Sequence, residues 1–141
     1  MTLKVKTSRV NRAVAPTPSF DAAYCREVDN WPRSWMGLEK DLPPGEQLLD
    51  CFRPFLEQLA SSSLSPKTIR KHVDNLWLLG GELIRALHEE PARRKAPASR
   101  LLSDLISDDG GPLILHGSEE EQRSFDSTCR KLHRFLTNPQ R

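Results

Sequence analysis

Apolar residues recur at three- and four-residue steps in several separate stretches of the chain, and each such stretch predicts a helix with one buried face. Leu48, Leu49, Phe52, Phe55, Leu56 and Leu59 place a helix over about Gly45 to Ser61. Pro54 lies inside it without the amide that would bond to the Asp50 carbonyl, which predicts a kink or a break. The next helix has the clearest start: Ser65 is a good N-cap, its oxygen able to accept from a free backbone amide, and Pro66 fits the first helical position. From there to Glu90, one face carries Ile69, Val73, Leu76, Gly80, Leu83, Ile84 and Leu87. Trp77 and Leu79 widen it and Leu78 lies opposite, so this helix is expected to be the central one, contacted on several sides. Gly80 and Gly81 cost about 1 kcal/mol each relative to Ala in a helix interior. Their presence predicts that another backbone approaches closely or that the helix bends. Pro91 ends the helix.

Ser99 then caps a short helix carrying Leu101, Leu102, Leu105 and Ile106, with Gly110, Gly111 and Pro112 beyond it. The run Leu113 to Leu115 is too short to classify. Ser118 and Glu121 have capping-box spacing, and Phe125, Cys129, Leu132 and Leu136 mark the core face of a last helix. Four main helices make the fold class all-α, a small helical bundle. Residues 1–19 lack apolar periodicity and hold four basic residues with Pro16 and Pro18, which predicts a flexible basic arm. Phe20 to Pro44 sets Phe20, Tyr24, Trp31, Trp35 and Met36 among Asp, Asn and Pro. This reads as an extended segment wrapping the bundle, with at most a short helix near Asp21 to Val28. Trp31 and Trp35 are expected as lids on the core; the alternative is an exposed recognition pair. Residues 20–138 then form a single domain and 139–141 a tail, in keeping with a chain of 141 residues.

Composition narrows the function by exclusion. The longest uninterrupted apolar runs are four residues, as in Leu76 to Leu79, far below the ~20 needed to cross a bilayer. No apolar block follows the basic start, so no export signal is expected, and three widely spaced cysteines, Cys25, Cys51 and Cys129, do not form a disulfide framework. Reduced thiols in a cytoplasm, with no membrane partner, are the expectation. Glycine-rich phosphate loops, nucleophile elbows and H-E-x-x-H or C-x-x-C patterns are missing, so no catalytic residue and no cofactor is expected and the chain does not read as an enzyme. Cys129 and His133 are four apart on the last helix but make only half of a metal site, so no metal is expected either.

The net charge is +2, which excludes a uniformly basic nucleic-acid binder and leaves local patches. Positive residues gather at Lys4 to Arg12, Lys67 to Lys71, Arg93 to Arg100 and Arg130 to Arg134. The most informative patch is the front of the central helix. There Lys67, Arg70 and Lys71 project away from the Ile69–Val73–Leu76 face, Thr68 adds a hydroxyl, and a helix start offers free amides to an anion. Asp74 partly offsets them. Such a front can touch phosphates while its side chains approach base edges.

The segment Phe55 to Leu87, and within it Leu64 to Arg70 ("LSPKTIR"), resembles the first two helices of the N-terminal core-binding, SAM-like domain of tyrosine recombinases and phage integrases. The resemblance implies a four-helix bundle that contacts DNA, with Lys67, Thr68, Arg70 and Lys71 at the DNA-facing start of the second helix. It does not extend to the family's catalytic domain. Tyr24 is the one tyrosine and lies near the N-terminus, and no H-x-x-R follows His72, His88, His116 or His133. The expected function is a non-catalytic DNA-binding accessory or regulatory protein with duplex DNA as partner. The alternative is a protein–protein adaptor or assembly subunit, its contact patch made of Trp31, Trp35 and Leu78.

Overall fold

The computed structural model describes residues 28–114 and 117–138. The expected arm, the segment from Phe20 to the start of the described chain, Tyr24, Cys25 and the tail lie outside them. The described chain is all-α, as the periodicity predicts: α1 (Trp31–Trp35), α2 (Leu42–Ala60), α3 (Pro66–Glu89), α4 (Ala98–Leu105) and α5 (Glu119–Thr137). Single 3-10 turns at Glu39–Asp41 and Pro91–Lys95 lead into α2 and away from α3. Among the described residues no strand occurs, only an isolated bridge between Ser107 and Gly110.

The long helix α3 touches every other helix, so its central place follows from its wide apolar face. The core joins Leu48, Phe52, Phe55, Leu56 and Leu59 of α2 to Val73, Leu76, Leu79, Leu83 and Leu87 of α3, with Leu101 and Leu102 of α4 and Phe125, Cys129 and Leu132 of α5. Burying each of the larger side chains contributes roughly 1.5–3 kcal/mol. Both predicted caps form: the Thr68 amide donates to Ser65 Oγ, and Ser118 and Glu121 exchange the two bonds of a capping box. α4 starts two residues earlier than the Ser99 cap predicts. Its N-cap is Pro97, and the Ala98 amide donates instead to Gln47 Oε1 of α2 at 3.4 Å.

Three expectations change. The helix α2 neither ends nor restarts at Pro54. Pro54 points to solvent, while Phe52 before it and Phe55 after it are buried in the same core, which keeps the helix continuous. The Trp-containing segment is not extended from Trp31 onward: Pro32 sits in the first turn of α1, where its missing amide costs nothing. Finally, what approaches Gly80 is an aromatic ring rather than a backbone. A Cβ at Gly80 would fall 2.1 Å from Trp35 Cζ2, whereas one at Gly81 would lie 3.7 Å from Trp35 Cδ1, an ordinary contact. The indole is fixed there, since Trp35 Nε1 donates to the Trp77 carbonyl at 2.9 Å and its ring meets Phe52 edge-on at 6.4 Å.

At the other end of α3 the chain closes on a buried carboxylate. Asp41 is fully buried. Its Oδ2 accepts from the amides of Gly37 and Leu38 and from His88 Nε2, and its Oδ1 accepts from Arg94 Nη2 at 2.7 Å. Burial works to raise its pKa, but Arg94, the two amides and His88 together outweigh it and hold the carboxyl well below the usual carboxylate range. One acid thus ties the entry to α2, the end of α3 and the turn after it.

Two predictions follow from these contacts. Gly80→Ala should destabilise by about 1–3 kcal/mol through overpacking against Trp35, although Ala is the better helix former. Gly81→Ala should stabilise by up to about 1 kcal/mol. Thermal unfolding of the pair reads both signs. Asp41→Asn should cost roughly 3 kcal/mol at neutral pH. The folded-state pKa lies below the unfolded one, so the stabilisation is complete above the ordinary value of 3.8 and is lost as pH falls through the folded-state value. Urea midpoints should therefore fall less steeply with acid in Asp41→Asn than in the wild type.

Candidate nucleic-acid interface

The start of α3 places Lys67, Arg70 and Lys71 on the solvent side of a helix whose opposite side, beginning at Ile69, is buried. At 100° per residue, the three fall within roughly 100° of one another. Lys67 and Lys71 meet no acid among the described residues, whereas Arg70 and Asp74 are already engaged. Thr68 is half-buried, and its hydroxyl accepts from Ser65 Oγ at 3.0 Å while its amide is taken by the same oxygen. The expected free amides are largely consumed: Pro66 has none, Thr68 donates to Ser65 Oγ, and Ile69 donates to the Ser65 carbonyl. The positive character of this front therefore rests on side chains rather than on the helix terminus.

The other basic cluster beside the core does not join it. Arg93 pairs with Glu90 and Asp104, Arg94 is committed to Asp41 and the Lys40 carbonyl, and Arg100 lies near Asp104. All of these sit past the far end of α3, about 35 Å along its axis from Lys67. What joins the front comes from α5, which runs antiparallel to α3. Two side chains on α3, His72 and Asn75, are buried against it. His72 Nδ1 shares a 2.7 Å hydrogen bond with Thr128 Oγ1, and Asn75 Nδ2 donates to Thr128 Oγ1, Ser124 Oγ and the Ser124 carbonyl. Burial lowers the His72 pKa, and Lys131 and Lys71 lower it further. Those two lysines, one from each helix, therefore lie close enough to act on the same imidazole, and they extend the basic front across the α3–α5 seam.

The proposed protein-contact residues are placed differently from one another. Trp31 and Trp35 are buried, 5% and 8% exposed, their rings tilted at 47° to each other with centroids 5.8 Å apart and both edge-on to Phe52. They are lids on the core and do not form an exposed pair, because α1 lays their rings on α2 and α3. Leu78 is half-buried and packs against the core margin. The exposed aromatic is Trp77, 41% exposed. Its periodicity suggests the core face, but its place at the edge of that face leaves one side to solvent. Trp77 Nε1 donates to Ser34 Oγ at 2.9 Å, and Ser34 Oγ donates to the Trp31 carbonyl at 2.7 Å. A groove of about 570 Å³ runs beside it, lined by Asn30, Trp31, Ser34, Val73, Asp74 and Leu78.

Among the described residues no group of three or more His, Cys, Asp or Glu side chains could hold a metal ion, and no helix is long and apolar enough to cross a membrane. Cys129 is a core residue whose thiol burial, helped by Asp126, pushes up to about 12. His133 is half-buried, 3.6 Å from Asp108. Comparison with known proteins finds no matching family model, no matching curated protein and no matching solved structure.

Thr128→Val removes one hydroxyl at nearly constant volume, strands His72 Nδ1 and leaves Asn75 with its Ser124 acceptors alone, so it should destabilise by about 1–3 kcal/mol in urea unfolding. A His with a lowered folded-state pKa adds stability that is complete above its ordinary value of 6.5 and is lost as pH falls below that value. Lys71→Gln and Lys131→Gln should each raise the His72 pKa toward that value, read from its ring proton in an NMR titration.

Proposed function

We propose that this protein is a non-catalytic DNA-binding accessory or regulatory protein whose contact is the front of α3. The observation that carries this reading is the exposed group Lys67, Arg70 and Lys71, set on a rigid, capped helix and extended by Lys131 from α5. The resemblance of Phe55 to Leu87 to recombinase core-binding domains supports it, since its most specific part, Leu64 to Arg70, is the turn that presents these cations. Rigid placement matters because contacts on a fixed helix set the register of a duplex without an ordering cost. The adaptor reading is weaker as first framed, because two of its three residues, Trp31 and Trp35, are buried.

Changing Lys67, Arg70 and Lys71 together to Gln keeps helix propensity nearly constant on a face that does not pack, so folding should survive. If each cation neutralises one phosphate, the logarithmic salt slope of duplex binding should become shallower by about 2–3 units. An unchanged affinity and slope in a folded variant would assign these charges to solubility and return the adaptor reading to first place.

A further inference from the structure

The first turns of α3 and the groove beside Trp77 lie on neighbouring stretches of one helix surface. Arg70, Asp74 and Trp77 are spaced i, i+4, i+7 and fall on one stripe, and Lys67 and Lys71 flank it. Lys67 precedes Trp77 by about 15 Å along the axis. Trp77 is unlike the other two tryptophans, which are buried. Its indole N–H is satisfied by Ser34 within the protein, so the ring is held still and its exposed side offers aromatic surface with no polar demand of its own. The groove it borders has the volume of a small-molecule cleft. Its lining mixes the apolar Trp31, Val73 and Leu78 with Asn30, Ser34 and Asp74.

We propose that Trp77 and the α1–α3 groove seat an unpaired nucleobase, with the adjoining phosphates of the same strand held by Lys67 and Lys71. The assignment rests on the nucleic-acid reading of the α3 front and names the form of ligand it takes. Charge decides the division of labour. Lys67 and Lys71 attract phosphate, so the backbone stays over them, while the groove, lined by Trp31, Val73 and Leu78 beside Trp77, takes the uncharged base. Stacking on a fixed aromatic ring tolerates any base and depends on the strand being open, which a closed duplex does not allow.

The test compares a short deoxycytidine strand with a blunt-ended two-strand duplex, using tryptophan emission and salt titration on the full chain. The strand should quench the exposed indole and shield it from acrylamide in the wild type. Trp77→Leu should weaken strand binding roughly ten- to hundred-fold while leaving duplex affinity and salt slope unchanged, and Trp77→Phe should retain most of the strand affinity. The wild-type quenching and shielding require no variant, so a poorly folded Trp77→Leu does not remove the test. Duplex binding with no indole quenching, or strand affinity indifferent to Trp77→Leu, would overturn the base seat alone and leave the groove to a protein partner. Failure of the wild type to bind either nucleic acid would overturn both this inference and the DNA-binding reading.

Discussion

The indole of Trp35 occupies the space that any side chain at position 80 would need, and much of the molecule is arranged around that occupancy. With its ring edge in the Gly80 notch and its N–H on the Trp77 carbonyl, Trp35 pins α1 across α3. Trp31 and Phe52 then close around it from α1 and α2. The same pinning brings Ser34, one residue before Trp35, to the indole of Trp77, which holds that ring at the rim of the groove. A local close approach thus decides both how the bundle is lidded and where its exposed aromatic stands. The cost of a glycine in mid-helix, about 1 kcal/mol, is offset by the burial of a large ring.

Charge is organised by the same economy of position. Asp41 is buried and remains ionised because four donors converge on it, and two of them, His88 and Arg94, come from beyond the middle of the chain. A buried carboxylate with fewer partners would be costly; with these it becomes a clasp that fixes the path of the chain after α3. The clasp and the pairing of Arg93 with Glu90 and Asp104 also draw cations out of circulation. The segregated charge of the sequence is therefore not one continuous basic surface. Beyond one end of α3 the arginines Arg93, Arg94 and Arg100 are paired with acids, and the other end keeps its exposed lysines.

The buried polar contact between α3 and α5 links stability to that exposed end. Thr128 serves both His72 and Asn75, so the two helices are held in register by hydrogen bonds as well as by Leu76, Phe125 and Leu132. The imidazole of His72 lies within reach of Lys71 and Lys131 and so reports on the charge at the front of the helix. Any anion that neutralises those lysines changes the proton affinity of a core residue, a consequence of placing a titratable ring under a charged surface.

Local signals sufficed for much of the fold. Ser65 and Pro66 began α3 where they stand, Ser118 and Glu121 began α5, and the three- and four-residue steps of leucine and phenylalanine predicted most of the buried faces, because capping and amphipathicity are properties of a few adjacent residues. Leu136 is an exception: its spacing puts it on the core face, but in the last turn of α5 it is exposed and Phe135 packs against Phe55. The exposure of Lys67, Arg70 and Lys71 was equally legible, since they lie opposite a long apolar face. What only the tertiary structure decided depends on residues far apart in the chain. Pro54 does not break α2, because the core grips the helix on both sides of it. Gly80 accommodates a ring from a position 45 residues earlier, and no periodicity within α3 carries that information. Trp77 keeps one side of its ring exposed, since Ser34 and α1 take up only the other. Asp41, His88 and Arg94 meet from three separate elements; each reads as an ordinary surface charge until packing buries the carboxylate and brings the other two onto it.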